Sequence, residues 1–196
     1  MKIGPLALLL ACVMATPALA QGRGPQPAPP PGLLHPMFQD HAVLQRGQPI
    51  RVYGNAPAGT AVHVALGTAA ADGTADGSGH WTATLPAMPA GGPYTLIASG
   101  GGKSETASDV LVGDVFLCTG QSNMALSQRA VNNAAQDART ATDSQIRQLS
   151  IATTGSTSPL STFATKVRRT VESPETVPNF SASCWYIFRD LKETVN

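Results

Sequence analysis

From Ile50 to Ala98, apolar side chains return at every second position, in runs too short to be helices. Ile50, Val52 and Gly54 begin the series. Val62, Val64 and Leu66 alternate with Ala61, His63 and Ala65, and Trp81, Ala83 and Leu85 alternate with Thr82 and Thr84. Tyr94, Leu96 and Ala98 repeat the pattern. Alternation directs one set of side chains to a core and the other to solvent. Turn-forming stretches separate the runs: Asn55-Ala56-Pro57-Ala58-Gly59, Asp72-Gly73, Asp76-Gly77-Ser78-Gly79 and Gly91-Gly92-Pro93. This spacing predicts a small antiparallel β-sandwich over residues 34–112. A chain with 19 glycines, 16 prolines and 5% aromatic residues suits many short strands better than a helical bundle.

After Val112 the pattern changes. Val115-Phe116-Leu117-Cys118 is a continuous apolar run, as expected of a strand covered on both faces. Asn132 to Ala141 reads as a short alanine-rich helix and Ile146 to Ile151 as another strand. Residues 152–166, rich in serine and threonine, read as a surface loop. Val177, Phe180, Cys184, Ile187 or Phe188, and Leu191 recur at helical spacing, introduced by Ser-Pro-Glu-Thr (173–176) and Pro178. Strand, helix, strand, helix predicts the beginning of an α/β domain with a parallel sheet over residues 113–196.

The first 33 residues belong to neither part. Lys2, the apolar stretch from Ile3 to Met14 and Ala18-Leu19-Ala20 read as a signal peptide, residues 1–20, cleaved before Gln21. The expected location is therefore periplasmic or secreted. Leu9-Leu10-Ala11-Cys12 offers an alternative, lipidation at Cys12. The apolar stretch is too short to span a bilayer as a helix. Residues 21–33 form a proline- and glycine-rich linker. A formal charge of +1 with no basic cluster denser than Arg168-Arg169 argues against nucleic acid or an anionic membrane as partner.

Cys118 and Cys184 remain after signal cleavage. Export permits a disulfide between them. The alternative, favoured by their apolar settings, is a pair of small buried hydrophobes. No histidine pairs lie near them, so no metal site is expected. His35, His41, His63 and His80 are isolated in strands or turns, with no carboxylate spacing that marks a catalytic pair. Surface or packing roles are expected for all four.

Gly113 to Met124, GDVFLCTGQSNM, carries the chemistry. Its serine, Ser122, falls just past the expected strand, at the rim where open α/β sheets build their sites. Gly120 lets the chain turn tightly and leaves room for a substrate. The Ser122 N–H, opening a helical turn, can face a developing oxyanion. A glycine-glutamine-serine-asparagine turn is also chemically ordinary, and local residues alone leave both readings open.

GDVFLCTGQSNM resembles the nucleophile block of the sialate O-acetylesterase family, a branch of the SGNH/GDSL hydrolases. Three further segments resemble that family's N-terminal region in the same order: 38–59 (FQDHAVLQRGQPIRVYGNAPAG), 76–96 (DGSGHWTATLPAMPAGGPYTL) and 173–191 (SPETVPNFSASCWYIFRDL). The resemblance implies a multi-domain chain: the β-sandwich, then the beginning of an SGNH-like, flavodoxin-like α/β hydrolase domain. It implies removal of acetyl esters from a sugar or glycan, without cofactor or metal, through an acetyl-serine on Ser122. Gly120, Gln121 and Asn123 would then lie beside the oxyanion or substrate.

The sequence departs from the family pattern at Thr119, where serine is frequent, at Phe116, where tryptophan is frequent, and at Phe188, where glycine is expected. No histidine follows His80, and the family's later glycine, asparagine and aspartate–histidine blocks do not occur before Asn196. The expectation is a truncated esterase that bears the nucleophile without its base. The rival expectation is a non-catalytic carbohydrate-binding or interaction module. No feature of the sequence specifies an oligomeric state.

Overall fold

The structure, a computed structural model, describes residues 32–160 and 162–194. The expected signal peptide, its Cys12 alternative and linker residues 21–31 lie outside the described residues. Seven strands form the first part: β1 (Val43–Gln45), β2 (Ile50–Asn55), β3 (Ala61–Leu66), β4 (Ala69–Thr74), β5 (His80–Leu85), β6 (Gly91–Gly100) and β7 (Lys103–Gly113). One sheet has the order β1-β7-β6-β3-β4, and β2 pairs with β5 in a second. The alternating residues face inward as expected: Val52, Val62, Val64, Leu66, Trp81, Ala83, Leu85, Leu96 and Ala98 are all buried.

Three details differ from the sequence expectation. The sheet is not wholly antiparallel, because β1 lies parallel to β7 with Val43 opposite Leu111. No hairpin joins these two strands, and the long chain between them allows the parallel pairing. Asp72-Gly73 is not a turn but part of β4, with Asp72 opposite His63 and Gly73 opposite Val62. A Cβ on Gly73 would lie 2.5 Å from the Thr82 carbonyl oxygen, so the glycine serves close strand approach. Gly91-Gly92-Pro93 likewise begins β6 rather than preceding it.

Leu33, read as linker, belongs to the core together with Leu34, Phe38 and Ala42. The strap they form is held by its backbone. The N–H groups of Leu33 and Leu34 donate to the Glu105 carboxylate at 2.9 and 2.8 Å, and the Leu33 carbonyl accepts from Trp81 Nε1 at 2.9 Å. Buried backbone groups need such partners. The strap runs so close to β2 that a Cβ on Gly54 would meet the Leu33 oxygen at 1.8 Å.

Beyond Gly113 come α1 (Ser122–Ala125), α2 (Ala134–Thr140), β8 (Arg147–Ser150), β9 (Arg168–Val171) and α3 (Ala182–Thr194). The helix expected over Asn132–Ala141 is present as α2. The last helix starts later than its apolar spacing suggested, at Ala182, after a 3-10 turn over Val177–Asn179 whose Pro178 suits a turn start. Ile146–Ile151 does contain a strand, β8. It pairs antiparallel with β9, however, and no parallel α/β sheet forms among the described residues. Ala141, Val177, Phe180 and Trp185 make a second, small core, in which Trp185 Nε1 donates to the buried Glu172 at 2.8 Å.

The β8–β9 pair is anchored on the sandwich by two arginines. Arg147, whose side chain is 3% exposed, donates to both the backbone and the carboxylate of Asp109. Arg169 donates to the Met37 carbonyl, and its N–H reaches Gln39 Oε1. Burial, aided by the nearby Arg147 charge, lowers the Arg169 pKa to about 10. No described helix is long and apolar enough to cross a membrane.

Candidate active site

The path from the sandwich to Ser122 is defined by a few specific contacts. Asp114, at the exit from β7, pairs bidentately with Arg46, accepting from Nε at 3.0 Å and Nη2 at 2.9 Å. The Val115 N–H then donates to Gln45 Oε1 at 3.0 Å. From there the expected buried strand does not form. Val115, Phe116 and Leu117 belong to no strand and are exposed, Leu117 by 85%. A strand covered on both faces needs neighbours to bond and cover it, and no described segment pairs with this one.

What holds the segment instead is α3. Phe116 stacks on Phe188, with ring centroids 5.2 Å apart. The two aromatic departures from the family pattern therefore meet each other. Two residues on, Cys118 is bonded to Cys184 as a disulfide, Cα to Cα 6.3 Å. The expectation of two buried free thiols is overturned: Cys184 is buried, but Cys118 is exposed on the unpaired segment and draws no apolar shelter from it. Further along, the Leu126 carbonyl accepts from the Ala182 N–H, and Ser183 Oγ donates to the Asn123 carbonyl at 3.3 Å.

These restraints place the serine loop at the start of α3. Gly120 has φ +156°, and a Cβ there would lie 2.6 Å from Met124 Cγ. Gln121 is extended and caps α1, its carbonyl accepting from the N–H groups of Met124 and Ala125. Ser122 is the first residue of α1 and is exposed, as are Gly120, Gln121 and Asn123. Among the described residues, neither the Ser122 hydroxyl nor its N–H makes a hydrogen bond. The four predicted site residues are thus contiguous and accessible. They do not sit on the rim of an assembled sheet.

No histidine is hydrogen-bonded to Ser122. The histidines are nonetheless not all isolated, as their sequence setting suggested. His41 Nδ1 is 2.6 Å from Asp109, and His63 Nδ1 is 2.7 Å from Asp72. Both pairs are created by strand pairing and the β1–β7 junction, across separations that no local spacing rule registers. His41 and Asp109 are also two of the three non-glycine residues with positive φ among the described residues, 65° and 52°. Burial raises the Asp109 pKa, but hydrogen bonds from His41 and Arg147 outweigh it and hold the carboxyl below its ordinary value. Of the other carboxylates near the serine in sequence, Asp137 accepts from Tyr186 Oη. No group of histidine, cysteine or carboxylate side chains suited to a metal occurs among the described residues.

No family profile matches the chain. A sialate O-acetylesterase from Pongo abelii is 30% identical over 126 residues, covering 59% of this chain and 24% of that protein. A solved carbohydrate acetylesterase from Xanthomonas citri superposes with a TM-score of 0.81 at 33% identity, covering 84% of this chain and 38% of the other. The chain thus spans 24% to 38% of the length of these relatives. Sequence and fold together relate the chain to the sialate and carbohydrate acetylesterases, the esterase family whose nucleophile block its Gly113–Met124 segment resembles.

Proposed function

We propose that this chain is the nucleophile-bearing part of an SGNH-type carbohydrate O-acetylesterase, with Ser122 as nucleophile. The observation that carries the reading is Ser122 itself: first residue of a helical turn, exposed, and unbonded at both Oγ and N–H. Ser122 Oγ attacks the acetyl carbonyl and loses its proton to a base. The carbonyl oxygen becomes an oxyanion, which the Ser122 N–H is free to bind. Collapse expels the sugar hydroxyl and leaves acetyl-serine, and water then releases acetate and restores the hydroxyl. Gly120, Gln121 and Asn123 flank the acyl group. The acetylated sugar is the substrate class, supported by what the two relatives are named for.

The base is the missing component. A serine hydroxyl without one is a poor nucleophile; His35, His41 and His63 are engaged within the sandwich, and His80, exposed at the start of β5, makes no hydrogen bond to Ser122. The residues 32–194 alone therefore constitute an incomplete esterase, which is also the observation that favours the rival, non-catalytic reading. The two readings separate in a hybrid in which residues 32–194 replace the corresponding part of the Xanthomonas citri enzyme. The esterase reading expects acetate release from acetylated sugars that Ser122→Ala abolishes; a folded hybrid with no activity favours the binding module. Export remains part of the proposal, supported by the Cys118–Cys184 disulfide, a bond that persists in oxidising compartments.

A further inference from the structure

A groove of about 400 Å³ lies between the sandwich and the 151–165 segment, a size suited to a small ligand. His35, Met37 and Tyr53 line it from the sandwich; Ile151, Phe163 and Thr165 line it from the segment opposite. No residue of 113–125 takes part, so the groove is separate from the Ser122 loop.

Its polar centre is His35, which is only 7% exposed. Nδ1 accepts from the Met37 N–H at 3.2 Å, so in the neutral ring the proton resides on Nε2. Burial holds the His35 pKa below the ordinary histidine value, which favours that neutral form. Tyr53 and Phe163 rest against the imidazole, with ring centroids at 5.0 and 5.3 Å. Among the described residues nothing accepts a hydrogen bond from Nε2, and the Thr162 and Thr165 hydroxyls at the groove are equally unengaged. Nε2 is not one of the described buried polar atoms left without a partner, so it opens on the groove, where it is free to donate to a ligand.

The lining contains no charged side chain. An anionic or cationic ligand would lose its hydration with no counter-charge to replace it. A wholly apolar ligand would leave the imidazole N–H and the threonine hydroxyls unpaired. A ligand with an apolar face and a polar edge satisfies both constraints. We propose that this groove binds one neutral pyranose unit, its C–H face against Phe163 and Tyr53 and a ring hydroxyl accepting from His35 Nε2. The site is independent of the Ser122 chemistry, and its failure would leave that reading untouched.

The test uses the 196-residue protein, methyl β-D-glucopyranoside as probe and N-acetylneuraminic acid as the anionic control. Long-range ¹H–¹⁵N spectra follow the histidine rings, with His41 and His63 as internal references. The expected result is a saturable shift confined to His35, with a dissociation constant of about 1 mM. Phe163→Ala, on the half-exposed segment, should weaken it about tenfold with an unchanged melting temperature. His35→Gln should weaken it as well; if that variant fails to fold, Phe163→Ala alone decides. No saturable His35 shift, equal binding by Phe163→Ala, or tighter binding of the anionic sugar would each overturn the proposal.

Discussion

Trp81 offers the sharpest test of how the sandwich is held together. Its side chain is 2% exposed, and its indole N–H closes the strap by donating to the Leu33 carbonyl at 2.9 Å. Trp81→Ala removes both the packing and this bond, and large-to-small substitutions of buried aromatics cost about 3–5 kcal/mol. Trp81→Phe retains most of the apolar contact but removes the indole donor, leaving the Leu33 carbonyl with the Asn55 N–H alone at 3.2 Å, a cost of about 0.5–1.5 kcal/mol. The expected order is therefore wild type, then Phe, then Ala, with the gap between Phe and Ala reporting packing alone. Urea unfolding followed by far-UV circular dichroism reads the sandwich directly, whereas Trp185 would confuse a fluorescence measurement. Because small proteins have only about 5–15 kcal/mol in total, the Ala variant should lose a large share of its stability. A loss below about 1 kcal/mol for Trp81→Ala would refute this account of the core. Equal losses for both variants would refute the division between packing and strap closure.

Other expectations follow from the junction and the serine loop. Because the Asp109 pKa is depressed, its contribution is complete above the ordinary aspartate value of 3.8 and fades as pH falls through the lower folded value. Asp109→Asn tolerates the same positive φ, should cost about 1–2 kcal/mol at neutral pH because the carboxylate is partly exposed, and should flatten that acid limb in pH-dependent melts. Reducing the disulfide, which closes a span of 66 residues, should lower stability by about 4 kcal/mol on loop entropy. Hydrogen exchange should show the opening at the Val115, Met124 and Ala182 amides, which are hydrogen-bonded along the loop and to α3, and protection unchanged at all three would contradict the role given to α3. The 196-residue chain should release acetate no faster than its Ser122→Ala variant, since loss of the base in serine hydrolases costs on the order of 10⁶-fold. Ser122-dependent turnover by the chain alone would mean that His41, His63 or His80 reaches the serine.

What was legible in the sequence was whatever depends on near neighbours. The period-two runs named the buried residues of β2, β3 and β5, down to Trp81 and Leu85, but not those of β7, Ala107, Val110 and Val112. Features set by distant partners were not legible. Leu33 looked like the end of a linker because the Glu105 and Trp81 groups that anchor it lie 72 and 48 residues away. β4 was hidden because Asp72-Gly73 is a turn signal locally and a strand only beside β3 and Thr82. The His41–Asp109 contact spans 68 residues, beyond any spacing rule. The apolar run Val115–Cys118 recorded a preference for burial, but burial requires covering neighbours, and the described residues supply only the edge of α3. The serine loop was legible for a different reason: its chemistry is compressed into Gly120-Gln121-Ser122-Asn123, whose residues remain together whatever surrounds them.

The central claim is that Ser122 forms the covalent acetyl intermediate. The most direct measurement is peptide mapping by mass spectrometry of the hybrid with the Xanthomonas citri enzyme, acid-quenched during turnover of an acetylated sugar. The account predicts an acetyl group on the peptide carrying Ser122, absent from the Ser122→Ala hybrid. Acetate release that continues in that variant, or an acetyl group trapped on another residue, would contradict it.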